Sequence, residues 1–112
     1  MEITSSIDGD VAVLRIVGRI DFATCESVEH AVNGAIEQGG RRVIFDMREV
    51  AYISSAGLRA ILIAAKKAKS AGGGVAVYGL QAGVEEVFTT SGFGKIVPIA
   101  ASDAQAREKL NA

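Results

Sequence analysis

Several residue types are scarce in this 112-residue sequence, which has no tryptophan, one proline, one histidine and one cysteine. Aromatic residues make up only 5%, which argues against a stacking platform for single-stranded nucleic acid. A net charge of -1 argues against a basic nucleic-acid-binding surface. Cys25 has no partner for an internal disulfide, and the first residues do not resemble an export signal. We therefore expect the protein to be located in a reducing cytoplasm. No apolar run reaches the ~20 residues that span a bilayer.

Motifs of catalysis and metal binding are also missing. Residues 53–57 (ISSAG) approach the nucleophile elbow Gly-x-Ser-x-Gly but lack its first glycine. The histidine, His30, falls on the polar face of a predicted helix. Glycines 72–74 are not followed by the Lys-Ser/Thr of a phosphate loop, and no Cys, His and acidic residues have metal-ligand spacing. We therefore expect a protein that is not an enzyme and that needs no cofactor or metal.

The residues that are present predict one domain over residues 1–112. Hydrophobic residues make up 49% and charged residues 22%, a normal balance for a globular protein of this length. The predicted strands are residues 2–7, 11–17, 42–46, 75–78 and 96–99. The predicted helices are residues 22–38, a helix that begins at Ser54 or Ser55, a short helix around residues 84–88, and a C-terminal helix after the capping-box pattern Ser102–Gln105.

The order of these elements, ββαβαβαβα, predicts the fold class. Strands that alternate with helices form parallel pairs joined by right-handed crossovers, and Asp8-Gly9-Asp10 predicts one antiparallel hairpin. We therefore expect an α/β fold with a mixed sheet of four to five strands and about four helices. Pro98 should restrict the last strand to an edge or to a strand end.

The most informative stretch is residues 46–59, DMREVAYISSAGLR. We expect a buried strand to end near Asp46 and a short linker to lead into a helix at Ser54–Ser55. In an open α/β sheet such a turn lies beyond the carboxyl ends of the strands, where sites gather, and Asp21 should lie nearby. A phosphoryl group on a serine there would be accepted by the helix N-terminus, whereas Asp21 and Asp46 would repel it and a docked partner would be released.

Each of these residues also has a purely structural interpretation. Ser54 is a good N-cap. Asp21 could equally cap the first helix, and Asp46 could bind loop amides after its strand. Cys25 lies on an apolar stripe and is predicted to be a small core residue.

Three segments resemble the STAS family, which is named for sulphate transporters and anti-sigma factor antagonists. They are Gly18-Arg19-Ile20-Asp21 after a strand, the strand Val43–Asp46, and Tyr52-Ile-Ser-Ser-Ala-Gly-Leu-Arg59. The resemblance covers most of the chain and is to the free-standing antagonists. In these antagonists the phosphorylated serine lies two positions before the Gly-Leu pair, which is Gly57-Leu58 here, so the resemblance assigns phosphorylation to Ser55. Many antagonists carry aspartate where this sequence has Ser54, and Ser54 stays open as an alternative. Ala56 follows the assigned serine.

The resemblance implies a bacterial partner switch in the cytoplasm. The unmodified protein would bind an anti-sigma factor that is a serine kinase, and would thereby free a sigma factor for transcription. The kinase would phosphorylate Ser55 and a serine phosphatase would restore it, with no direct contact to nucleic acid or membrane. The alternatives are a non-switching STAS scaffold, an accessory subunit of a signalling or membrane-transport complex, and a small nucleotide-binding α/β protein.

One face of the second long helix is a candidate partner surface. Arg59, Ile63, Lys66, Lys67 and Ser70 share the side away from the predicted buried stripe, and Ile63 is an apolar residue among cations. We expect Arg59 and Ile63, next to Ser55, to contact the partner. The alternative is a solvated face with one exposed isoleucine, which is common in proteins.

Overall fold

The computed structural model describes residues 1–111 as five strands, four α-helices and a short 3-10 helix. The strands are β1 Glu2–Asp8, β2 Val11–Ile20, β3 Arg42–Ile53, β4 Gly74–Tyr78 and β5 Ile99–Ala100. The helices are α1 Cys25–Glu37, α2 Ser55–Ser70, α3 Ala82–Thr90 and α4 Asp103–Lys109, and the 3-10 turn is Phe93–Lys95.

The strands form one sheet in the order β1-β2-β3-β4-β5. β1 is antiparallel to β2, and every later neighbouring pair is parallel. The predicted fold class, element order and hairpin are therefore confirmed. The predicted N-cap at Ser102 also forms, since its Oγ accepts a hydrogen bond from the Gln105 amide at 3.2 Å. Gln105 Oε1 accepts a hydrogen bond from the amide of Ala101, the residue before the N-cap, rather than from Ser102 as in a standard capping box.

The sheet is covered by helices on both faces. The main core joins α1, α2 and α3 to one face, with fully buried Leu14, Phe45 and Phe88 among its members. A smaller cluster joins Ala106 of α4 to Ile44 and other residues of the opposite face. Successive strand residues point to opposite faces, which explains why the run Val43-Ile44-Phe45 is apolar throughout. None of the helices in residues 1–111 has the length and hydrophobicity needed to cross a membrane.

The third strand is much longer than expected. It continues past Asp46 to Ile53, whereas the predicted strand ended near Asp46. Beyond Asp46 its buried residues are Met47, Val50 and Ile53, a spacing that does not follow the usual period of two. Two register shifts between β2 and β3 account for this spacing, because a bulged strand changes which side chains face the core.

The last strand is shorter than expected. It consists of Ile99–Ala100, and Pro98 lies just before it. The Pro98 carbonyl accepts a hydrogen bond from the Val77 amide at 3.0 Å, although proline has no amide of its own to donate. The prediction that Pro98 would stand at an edge or a strand end is confirmed, since β5 is the outermost strand.

Candidate functional site

The two adjacent serines at the start of α2 differ in their contacts. Ser54 is the N-cap, and its Oγ accepts a hydrogen bond from the Gly57 amide at 3.2 Å. Ser55 is the first helical residue and is exposed. Within residues 1–111 the Ser55 hydroxyl makes no hydrogen bond, so capping occupies Ser54 and leaves Ser55 accessible to another protein.

The start of α2 is fixed against the carboxyl ends of two strands. The Ser54 amide donates a hydrogen bond of 2.9 Å to the carbonyl of Ile20, the last residue of β2. A Cβ on Gly57 would lie 2.7 Å from that same carbonyl oxygen and 2.8 Å from Ile53, so only glycine allows this approach. Leu58 then buries its side chain in the core. These contacts hold Ser55 at one place on the surface.

Asp21 caps the turn that precedes α1. Its Oδ1 accepts hydrogen bonds from the amides of Ala23 at 3.0 Å and Thr24 at 3.2 Å, and its backbone carbonyl accepts one from Cys25. Its Oδ2 lies 3.6 Å from Arg19 Nε. Asp21 was predicted to cap the first helix; it instead holds the turn before α1, whose N-cap is Thr24. The turn also explains why α1 begins at Cys25 rather than at Phe22, where the helix was predicted to begin.

Asp46 does not lie beside the serine turn. It sits seven residues before the end of β3, roughly 20 Å along the strand. Its buried carboxylate accepts hydrogen bonds from Arg48 Nε at 3.0 Å and Nη2 at 2.8 Å. Burial alone would raise the pKa of Asp46, but the bonds from Arg48 outweigh it and lower the pKa below its usual value. The prediction that Asp46 adjoins Ser55 and repels a phosphoryl group there is wrong.

A groove of about 440 Å³ runs beside Ser55 between the first turns of α1 and α2. It is lined by Phe22, Cys25, Glu29, Ser55, Ala56, Arg59, Ala60 and Ile63. The structure thus brings together four of the predicted site residues, Ser55, Ala56, Arg59 and Ile63. Ile63 is half-buried at the groove, so it is neither a core residue nor a fully solvated one. Cys25 is also half-buried and lines the groove, so it is not the core residue that was predicted.

Phe22 is the site residue that sequence reasoning missed. It lies in the turn after Asp21 and its surface is 85% exposed, more than any other large apolar residue of the described chain. An exposed aromatic beside an apolar groove is typical of a protein-binding surface. No local sequence signal marks it, because its exposure follows from the turn that Asp21 forms.

The remaining residues of the predicted face lie further along α2. Lys66, Lys67 and Ser70 line a second depression against Asn33 and Glu37 of α1, and Lys67 Nζ donates a hydrogen bond of 2.9 Å to Asn33. They are thus part of the α1–α2 contact rather than of the groove beside Ser55. Within residues 1–111 no three His, Cys, Asp or Glu side chains are placed to bind a metal ion together.

Comparisons with known proteins agree with this architecture. The family model for the STAS domain matches residues 2–106. A relative from Bordetella bronchiseptica, named "Putative anti-sigma factor antagonist BtrV", is 38% identical over 96 residues, which cover 86% of this chain and 82% of the relative.

Three solved structures, of two proteins, have the same fold. TM1081 of Thermotoga maritima, a protein of the same description as BtrV, has a TM-score of 0.88 at 22% identity and covers 98% of this chain and 95% of its own. The anti-sigma factor antagonist SpoIIAA in its unphosphorylated form has a TM-score of 0.80 at 19% identity, with 96% of each chain covered. SpoIIAA of Bacillus is also known in a phosphorylated form, with a TM-score of 0.71 and 19% identity, covering 96% of this chain and 98% of its own. The fold, the serine turn and the family match together establish that this chain belongs to the STAS domain family.

Proposed function

We propose that this protein is an anti-sigma factor antagonist that is controlled by phosphorylation of Ser55. The observation that carries the proposal is the division of roles at the start of α2, where Ser54 caps the helix and the Ser55 hydroxyl is exposed and unbonded within residues 1–111. The likeness to BtrV and to SpoIIAA, which occurs in phosphorylated and unphosphorylated forms, supports it.

The unmodified protein binds through the groove and its rim. Phe22 and Ile63 offer apolar surface, and Arg59 offers a cation for an acidic group of the partner. A largely apolar surface that includes an exposed aromatic side chain and an arginine is typical of the centre of a protein interface. The partner we propose is an anti-sigma factor that is itself a serine kinase, so that binding frees a sigma factor for transcription. These events take place in the cytoplasm.

Phosphorylation ends this binding without unfolding the protein. The kinase transfers the γ-phosphoryl group of ATP to Ser55 Oγ, with release of ADP and the hydroxyl proton, and a serine phosphatase hydrolyses the phosphate ester to restore the hydroxyl. The group adds about -1.5 to -2 charges at the edge of the groove. The cap bond from Gly57 to Ser54 is not disturbed, and the helix N-terminus favours the negative charge. The fold therefore persists while a partner that buries the groove meets added bulk and charge.

The protein acts here as a binding switch rather than as an enzyme. It supplies the acceptor hydroxyl, whereas the nucleotide and the catalytic groups belong to the kinase. The separate roles of the two serines also favour Ser55 over Ser54, because a phosphoryl group on Ser54 Oγ would replace the group that accepts the Gly57 amide.

The test is the phosphorylation state of the protein purified from its own host. Intact mass and site mapping should find one phosphate on Ser55 of the wild-type protein and none in Ser55→Ala. Ser54→Ala, the matched control, should still be phosphorylated. Phosphate on Ser54 alone would contradict the assigned site. Absence of phosphate under every growth condition would favour a non-switching STAS scaffold or an accessory subunit of a signalling or membrane-transport complex.

A further inference from the structure

Arg59 differs from every other arginine of the protein. Each of the other arginines lies within 4 Å of a carboxylate, namely Arg15, Arg19, Arg41, Arg42, Arg48 and Arg107. Within residues 1–111 no carboxylate pairs with Arg59, although its side chain is exposed and lines the groove with Ser55. Arg59 therefore lines the groove without an ion-pair partner among residues 1–111, although the carboxylate of Glu29 also lines it.

Ser55 and Arg59 are four residues apart on α2, so their side chains are neighbours on one face of the helix. An acidic group followed by a basic group four residues later is the favourable order on a helix, because each charge also suits its end of the helix dipole. A guanidinium group binds phosphate oxygens through two parallel hydrogen bonds. Unmodified Ser55 gives Arg59 no charged partner, whereas phosphoserine would.

We propose that the phosphoryl group on Ser55 is bound by Arg59 of the same helix. This inference rests on the proposed function, since it concerns the modified form of that site. Pairing would hold the phosphate over the mouth of the groove, where it obstructs a partner. It would also withdraw Arg59 from the surface that meets the partner, so that one modification adds an anion and removes a cation from the same interface.

Among the described residues that line the groove with Ser55, Arg59 is the one cation. Two residues of α1 line the groove: Glu29, which contributes a carboxylate, and Cys25, which contributes a thiol. Asp21 uses its Oδ1 in the turn before α1, and its Oδ2 faces Arg19. Glu29 would oppose the phosphate and Arg59 would attract it, so the two residues predict shifts of opposite sign.

The experiment uses the full chain with phosphoserine encoded at position 55 during translation, which needs no kinase. Phosphorus NMR then follows the second ionisation of the phosphate, whose ordinary pKa is about 6. Arg59→Gln should raise this pKa by about 0.3, as expected for the loss of an ion pair one helical turn away. Lys66→Gln, an exposed cation further along α2, is the matched control and should leave it unchanged. Glu29→Gln should not raise it.

Two results would overturn the inference. One is an unchanged phosphate pKa in Arg59→Gln. The other is an equal rise of that pKa in Lys66→Gln, which would show that the shift reflects the net charge of the protein rather than an ion pair with Arg59. About 1 M salt should abolish the difference between wild type and Arg59→Gln, because the screening length then falls to about 3 Å. Since the phosphate is installed without the kinase, either result leaves the proposed partner switch standing, and that switch is tested separately by the host phosphosite.

Discussion

The amide of Ser54 donates a 2.9 Å hydrogen bond to the carbonyl of Ile20, which joins the start of α2 to the end of β2. The contact links two elements that are neighbours in the fold but more than thirty residues apart in sequence. It lets the residues of the turn after β2, Phe22 among them, share one groove with the residues that follow Ser54. The candidate site is therefore built by tertiary structure as much as by the serine motif.

Gly57→Ala should destabilise the protein, because the new methyl group would lie 2.7 Å from the Ile20 carbonyl oxygen. We expect a loss of about 1–3 kcal/mol in the free energy of unfolding, measured by urea denaturation. Gly34→Ala in α1 is the matched control, since a Cβ there meets no atom within 4 Å and alanine favours a helix by about 1 kcal/mol. Equal stability of the two variants would contradict the close packing at Gly57.

Ser54→Ala and Ser55→Ala should differ in stability. The first removes the acceptor of the Gly57 amide and should cost about 1 kcal/mol, whereas the second should stay within about 0.5 kcal/mol of wild type. Thermal or urea unfolding of the unphosphorylated proteins measures both. A larger loss in Ser55→Ala than in Ser54→Ala would show that the capping roles have been assigned to the wrong residues.

Phe22→Ser should weaken binding of the proposed anti-sigma partner while the fold remains intact. The side chain is 85% exposed, so its removal should change the free energy of unfolding by less than about 0.5 kcal/mol. Loss of a central aromatic contact should raise the dissociation constant at least about tenfold, measured by calorimetry. Ile96→Ser removes another exposed apolar residue that does not line the groove, and it should bind normally. Normal binding by Phe22→Ser would exclude Phe22 from the interface.

Asp46 should make the stability of the protein depend on acid pH. Its pKa is lowered in the folded state, so its contribution is fully present above the unfolded value of about 3.9 and is lost as the pH falls through the folded value. Asp46→Asn should therefore cost about 1–3 kcal/mol at pH 7. The difference from wild type should shrink as the pH falls below 4. A difference that stays constant between pH 7 and pH 3 would argue against an ionised, arginine-bound carboxylate.

The elements that could be predicted from sequence are those with local signals. The N-caps at Ser54 and Ser102 and the apolar strand Val43–Phe45 all follow from residues close together in the chain. The alternation of strands and helices then predicts the parallel sheet, because few topologies are compatible with it.

What could not be predicted depends on contacts between distant residues. The continuation of β3 to Ile53 rests on its pairing with β2 through two register shifts, which hide the strand period in the sequence. For the same reason Asp46 was expected at the serine turn and instead lies within the strand. The exposure of Phe22 likewise follows from the turn that Asp21 imposes, and no local pattern distinguishes an exposed phenylalanine from a buried one.

Because Ser54 holds the helix and Ser55 does not, the hydroxyl at position 55 is free to change during evolution at little cost to folding. Under the proposed switch, a descendant with alanine there would keep the groove and the sheet but would bind its partner permanently. Conservation of the fold among related proteins is therefore a poor guide to whether a given one still switches. The residue at this single position is the more informative marker.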